Sequence, residues 1–378
     1  MRITFKELKD QIAKVVPKDI PYTVELEAGN IAIVTPVPAK FGGGDGLIGK
    51  IAKRVKRKIV LRPDESIMKS EEDAKKMIHE IVPEAAEITN LYFDSCYREI
   101  IIQCQNPGEA VGRRGANLNA IRDQTGWLVK VERTSPIISK TVHDIRGYRQ
   151  AHAPERRKLL KDFGLNIHRP QRPGSAWARV TALGSYREVG RACHFVTTNE
   201  SRIMIDVGVN IASDTDPMPY FTAPEALPLE KLDAVVLTHS HLDHAGMLPV
   251  LFKYGYRGPV YCTPPTRDLM LLLQTDYLKV GGAEGKRAPY DMEDIRTCMK
   301  HVVDVDWGET TDIAPDVKLT FSNAGHILGS SPPPSSPSLP AQPGRPPAAP
   351  PRAPPADARD PVRADAADRR QAASALHR

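Results

Sequence analysis

No two of the five cysteines (Cys96, Cys104, Cys193, Cys262, Cys298) form a CxxC pair. That scatter excludes a cysteine zinc knuckle and a disulfide framework, and it suits a reducing compartment. No apolar run approaches the ~20 residues that a membrane-spanning helix needs, and the chain opens on alternating charged and apolar residues instead of a signal peptide. A cytoplasmic location and no membrane partner are therefore expected. A large excess of one charge is missing too: 52 Lys+Arg stand against 46 Asp+Glu, a net charge of +6. Such a balance permits an anionic partner without requiring one. Residues 331–378 lack Lys, Glu, Ile, Phe, Tyr and Trp, yet hold 13 of the 34 prolines. A segment of that kind cannot bury enough apolar surface to offset its ordering entropy, so a disordered tail is expected. Two origins fit it: a natural proline-rich tail, or a shifted reading frame in GC-rich DNA. The change falls in mid-element, which favours the second.

What is present begins with a repeat. Phe5, Leu8, Ile12, Val15 and Val16 make one stripe of a helix over residues 4–16. Strand-like runs 23–27 and 31–36 follow, joined at Gly29-Asn30. A glycine-rich turn at 42–46, a basic helix near 47–57 and a strand at 58–62 complete the unit. The order returns at 71–132: helix 71–81, strands 88–93 and 99–105, a short helical turn near 108–111, helix 116–125 and strand 127–132. Both units read α-β-β-α-α-β, a duplicated small α+β domain. Residues 138–176 are polar and basic with one helical stretch at 154–163, and are expected to be a linker. From 177 to 330 an α/β pattern resumes.

Gly112-Arg113-Arg114-Gly115 sits between the second strand and a helix of the second unit. Its glycines let the backbone approach a sugar-phosphate chain, its arginines add charge, and the next helix aims its N-terminus at phosphates. In isolation such a run is equally an ordinary helix-initiating turn. In this position, within Val111–Leu118, it resembles the GxxG loop of a KH domain of the prokaryotic type, an RNA-binding module. The first unit is less regular. Gly46-Leu47-Ile48-Gly49 lies near the expected place, followed by Lys50, Lys53, Arg54, Lys56, Arg57 and Lys58. That run fits either a nucleic-acid groove or a solvated helix face.

The strongest signal is an apolar run, Asp233 to Leu237, that ends in Thr238-His239-Ser240-His241-Leu242-Asp243-His244. Two histidines spaced by one residue on a tight loop can point at a single cation, and an Asp-His pair at the next helix start can reach a second. Three His and one Asp in six positions at a strand end have little structural purpose without metal. His194, His301 and the cysteines show no ligand spacing and are read as structural.

HxHxDH resembles the metallo-β-lactamase superfamily. Ile203–Gly208 matches that superfamily's first motif, in which Asp206 braces the metal loop from behind. Residues 319–322 read as a strand feeding Asn323–Ser330, which looks like the third motif, so His326 would complete a three-histidine face with His239 and His241. Arg187-Glu188-Val189-Gly190-Arg191 resembles the opening turn of the β-CASP nucleases, and is equally readable as a surface turn.

Two KH domains before a β-CASP nuclease is the layout of the archaeal family related to the eukaryotic cleavage and polyadenylation specificity factor. Its members act as ribonucleases and in transcription termination. The resemblance implies an α+β chain of five parts: a KH-like domain at 1–69, a KH domain at 70–137, the linker, a partial αββα metallo-β-lactamase domain at 177–330 and the tail. It implies a zinc-dependent phosphodiester hydrolase with two zinc ions per site in intact relatives. His239, His241 and His326 would hold one ion; Asp243 and His244 would hold part of the other, Asp243 also placing the nucleophile. The implied partners are single-stranded RNA, RNA polymerase with its elongation factors, and a second copy in a homodimer. The family's later ligands, a bridging aspartate and a last histidine, have no counterpart before the tail. Weak zinc binding and little cleavage are therefore expected of this chain. Two other functions stay open: a non-catalytic RNA-binding module, and a small-molecule hydrolase of the lactamase type, for which tandem RNA-binding domains have no use.

Overall fold

Two three-stranded sheets with one pairing scheme form the first part of the chain. The computed structural model describes residues 4–42, 46–134, 139–170, 175, 177–213, 215–285 and 288–332. Helix α1 (Phe5–Ala13) starts at a capping box, the Thr4 hydroxyl accepting from the Glu7 amide and the Glu7 carboxylate from the Thr4 amide. Strands β1 (Thr23–Glu27) and β2 (Asn30–Thr35) pair antiparallel, and β3 (Ile59–Pro63) joins β2 in parallel after α2 (Leu47–Val55) crosses over. The second module repeats this with α3 (Glu71–Ile81), β4 (Ile88–Asp94), β5 (Glu99–Cys104), α4 (Pro107–Val111), α5 (Ala116–Thr125) and β6 (Leu128–Arg133). Each module keeps its own apolar core. One detail differs from expectation: the first hairpin turns at Ala28-Gly29, because Asn30 is already in the ladder opposite Glu27 and Ala28 takes a left-handed φ of 51°.

The stretch expected as a linker contains two packed helices, α6 (Lys140–Ala151) and α7 (Ala153–Ile167). Its apolar residues are widely spaced among arginines and lysines, which is why composition reads as solvated. Yet Ile145 enters one core of the following domain, and Leu160, Phe163 and Ile167 enter another. Arg156 of α7 is also buried: its guanidinium bonds Asp94 at 3.1 Å and lies 5.6 Å from the Tyr97 ring. Arg62 of β3 also lies over the Tyr97 ring, at 5.3 Å, and pairs with Glu27 and Glu99. The β4–β5 turn is therefore held between the first module and α7.

The last domain is a six-stranded sheet in the order β12-β11-β10-β9-β8-β7. Its strands are β7 (Ala178–Gly184), β8 (Cys193–Thr198), β9 (Arg202–Ile205), β10 (Ala234–Val236), β11 (Val260–Cys262) and β12 (Val302–Asp304). The first three are antiparallel and β9 to β12 are parallel. Parallel strands are covered on both faces and so read as unbroken apolar runs. Val235 faces one core with α8 (Leu242–Ala245), α9 (Leu248–Lys253), α10 (Pro264–Ala283) and α11 (Met292–His301). Its neighbours Ala234 and Val236 face the other, made by α7 and the hairpin β13 (Thr310–Ala314) and β14 (Val317–Thr320). Among the described residues no helix is long and apolar enough to cross a membrane.

His301, at the end of α11, is buried and stacks on Phe252 with ring centroids 4.9 Å apart. Burial first, then the nearby Lys300 and Arg257 charges, hold its imidazole down at about 3. The folded value lies below the ordinary one of 6.5, so the unfolded chain takes up the proton first and stability falls as pH drops from 6.5 towards 3. Urea unfolding over that range is expected to show a loss on the order of 2–4 kcal/mol from this ring, which His301→Phe removes. An unchanged acid limb in that variant would count against the assignment.

Candidate metal centre and glycine loop

The metal-type motif lies where parallel strands β9 and β10 end, the edge at which open α/β sheets present ligands. Asp206 follows β9 directly, buried and left-handed at φ 60°. Its carboxylate accepts three hydrogen bonds of 2.8 Å: from the Thr238 amide, the Thr238 hydroxyl and His244 Nδ1. Gly208 is tied to this loop by space, since a Cβ there would stand 1.6 Å from the Asp243 carbonyl oxygen.

The Thr238 hydroxyl also meets His239 Nδ1 at 2.9 Å. It has one hydrogen and gives it to Asp206, so the oxygen accepts from Nδ1–H and the His239 lone pair resides on Nε2. Burial, then the nearby His244, lowers the His239 imidazole to about 4. At neutral pH it is thus an uncharged donor. Burial acts to lower His244 as well, but the Asp206 hydrogen bond and charge, with Asp243, leave it raised overall.

One nitrogen each of His239, His241 and His326 lies within 4.8 Å of the others. A tetrahedral zinc with bonds of about 2.0–2.1 Å spaces its ligand nitrogens by about 3.3 Å, so a contraction of at most about 1.5 Å seats all three on one ion. His326 is carried there by a loop fastened to the first two: the Ser331 amide donates to the Thr238 carbonyl at 2.9 Å, and Ser330 Oγ accepts from the His326 amide at 3.2 Å. Ser331, expected as the first residue of the tail, is instead buried in this loop. Beyond Pro332 the expected disorder falls outside the described residues.

Asp243 and His244 stand beside the triad without joining it. The rings of His239 and His244 are 4.0 Å apart, but His244 Nδ1 is engaged by Asp206, and its Nε2 is 3.7 Å from the half-exposed Asp243 carboxylate. Among the described residues, the three histidines are the one cluster of metal-type donors. The 187–191 turn supports the site from outside. Ala192 donates its amide to the Asp243 carbonyl, while Arg191 is clamped by Glu188, Asp216 and Tyr220.

In the second module, Gly112 (φ 72°), Arg114 (φ 54°) and Gly115 (φ 77°) turn the chain sharply into α5. Arg113 and Arg114 are exposed, and no side chain caps the helix start. The Ala116 amide bonds the Arg113 carbonyl, and the first-turn N–H groups after it take no side-chain cap and can face an anion. Sequence reading missed Thr238, Ser330 and Ser331. Only the hydroxyl directly before the first histidine offered a cue.

Residues 195–332 match the metallo-beta-lactamase superfamily domain, and residues 2–68 match the KH domain of transcription termination factor FttA. Over 326 residues the chain is 48% identical to transcription termination factor FttA of Methanosarcina mazei, covering 86% of this chain and 51% of that protein. The corresponding protein of Methanocaldococcus jannaschii is 45% identical over 330 residues, and that of Lokiarchaeum 38% over 331, with 51% and 52% of their lengths covered. The chain spans about half the length of the curated relatives it matches.

Proposed function

We propose that this chain, which belongs to the FttA family of archaeal transcription termination factors, holds single-stranded RNA on tandem KH-type modules beside a zinc site of the nuclease type. The observation that carries this reading is the convergence of His239, His241 and His326 in a chain that also presents the Gly112–Gly115 loop. The second module is read as a KH domain because it repeats the pairing of the first, antiparallel then parallel, around a glycine loop that opens a helix.

The roles follow from the side chains. His239, His241 and His326 would hold one zinc; Asp206 orients His244 directly and His239 through Thr238. Zinc bound there supplies Lewis acidity toward a phosphate oxygen and lowers the pKa of water. Asp243 is the carboxylate placed to take a proton, and with His244 it is a candidate for part of a second zinc. Arg113 and Arg114 would pair with phosphates while Gly112 and Gly115 admit the RNA backbone. RNA cleavage near transcript ends, in contact with RNA polymerase and elongation factors, and assembly as a cytoplasmic homodimer are what the family relationship supports for the complete protein.

A second reading, RNA binding without catalysis, is favoured by the lone triad: two donors beside it fall short of a second tetrahedral set. Both are tested by one experiment. Fluorescence anisotropy with a mixed-sequence single-stranded RNA is expected to show binding tighter than ~10⁻⁴ M, the weak limit of non-specific association. Replacing Arg113 and Arg114 with aspartate should remove it. End-labelled RNA with added zinc then separates the readings: products that vanish in His239→Ala support the nuclease, and intact RNA supports the binding module. Absence of RNA binding by the unaltered chain would defeat both.

A further inference from the structure

The structure assigns a second RNA-backbone site to the cleft between the end of α2 and the β13–β14 hairpin; the inference rests on the RNA-binding reading above. The cleft has a volume of about 240 Å³ and is lined by Lys56, Arg57, Lys58 and Lys318, with Asp312 the one acid. Its walls come from the first module and the metal-bearing domain, and they are fixed to each other. Arg57 bonds Asp312 at 3.1 Å, and Lys58 pairs with Glu309. The Gly29 turn lies so close that a Cβ would stand 2.2 Å from the Asp312 carbonyl oxygen.

Those two ion pairs use two of the four cations. Lys56 and Lys318 face the same space with no acid paired to either among the described residues. Lys56 also sits at a left-handed C-cap (φ 52°), where glycine is the less strained choice. A concave site with surplus ammonium groups from two domains calls for a phosphate-rich chain. RNA is favoured over an acidic peptide because the same helix exposes Lys50, Lys53 and Arg54, a basic strip leading into the cleft. The cleft is also distinct from the glycine-rich end of α2, which lies about 13 Å away along a nine-residue helix. Lys318 precedes His326 by eight residues, so the cleft lies at most ~29 Å from the metal centre along the chain.

The test is the salt dependence of binding, with the full chain and a mixed-sequence single-stranded RNA. Replacing Lys56 and Lys318 together with glutamine is expected to weaken binding roughly tenfold, uniformly across sequences. The slope of log K against log salt should fall by about 1.4, two contacts at ~0.7 each. Lys231→Gln with Lys279→Gln makes the same charge change at exposed positions in segments that pack on the other face of the six-stranded sheet, and should leave the slope unchanged. Equal thermal midpoints for all three proteins would exclude misfolding. If the parent binds RNA and the Arg113/Arg114 aspartate variant does not, the RNA-binding reading stands. An unchanged slope in the Lys56/Lys318 variant would then leave the cleft to an acidic protein segment and overturn this inference alone. Failure of the parent to bind would overturn both.

Discussion

Zinc titrated into a His326→Ala chain is expected to bind more than roughly a hundredfold more weakly than in the parent, read by competition with a chromophoric chelator. Removing a group that only orients a ligand usually lowers affinity about 10- to 100-fold. His326 is a donor itself, its ring 5.0 Å from that of His239 and 5.1 Å from that of His241, and its loss leaves two imidazoles. Asp206→Asn supplies the internal comparison. It keeps an acceptor for the Thr238 hydroxyl but gives up the charge, so its loss should fall inside the 10- to 100-fold range. Stoichiometry carries equal weight. One zinc per chain is expected from the triad, and two tightly held ions would show that Asp243 and His244 complete a set the geometry does not gather. If His326→Ala kept full affinity, the triad would be wrong.

Arg156→Ala is expected to destabilise the chain by roughly 2–4 kcal/mol in urea unfolding, because it empties a buried site and takes the guanidinium partner from the partly exposed Asp94. Arg156 is the largest side chain with almost no exposure, and its neighbours leave few alternatives. Asp94 would lose its guanidinium partner while Tyr97 lost one of its two flanking cations. Burial works against the charge on Arg156, but the Asp94 carboxylate holds it well above its ordinary range, so the arginine stays protonated at any working pH. Arg156→Met fills much of the same space without a charge to pair and should recover part of the loss through packing. A change under about 1 kcal/mol in the alanine variant would mean that this junction bears little of the stability.

The parts of this molecule that sequence reading recovers are those whose reasons are local. His239 and His241 point together because they are spaced by one residue at a strand end, while His326 is reached only through the likeness of Asn323–Ser330 to the third motif. α3 and α5 match their expected limits, since Ser70 caps one and Gly126 ends the other. What escaped depends on distant partners. Arg149 and Arg156 look like solvated positions until Asp304 and Asp94 fold against them, so α6 and α7 passed for a linker. Arg57 and Lys58 read equally as part of a nucleic-acid groove or of a solvated helix face, yet both pair with acids at the β13–β14 hairpin some 250 residues later. Thr238, beside the first histidine, offers only its hydroxyl as a cue, and its role as a brace appears when β9 brings Asp206 alongside.

The clasp around Tyr97 has a mechanical consequence. Cys96, beside it, shares a core with Leu160 and Phe163 of α7, and that core includes Ile205 and Val236 on the strands leading to Asp206 and His239. A tug on a polymer gripped by the second module would therefore not be absorbed by a slack tether. It would pass through α7 into the floor under the histidines, so tension at the grip and alignment at the metal centre become one stiff system.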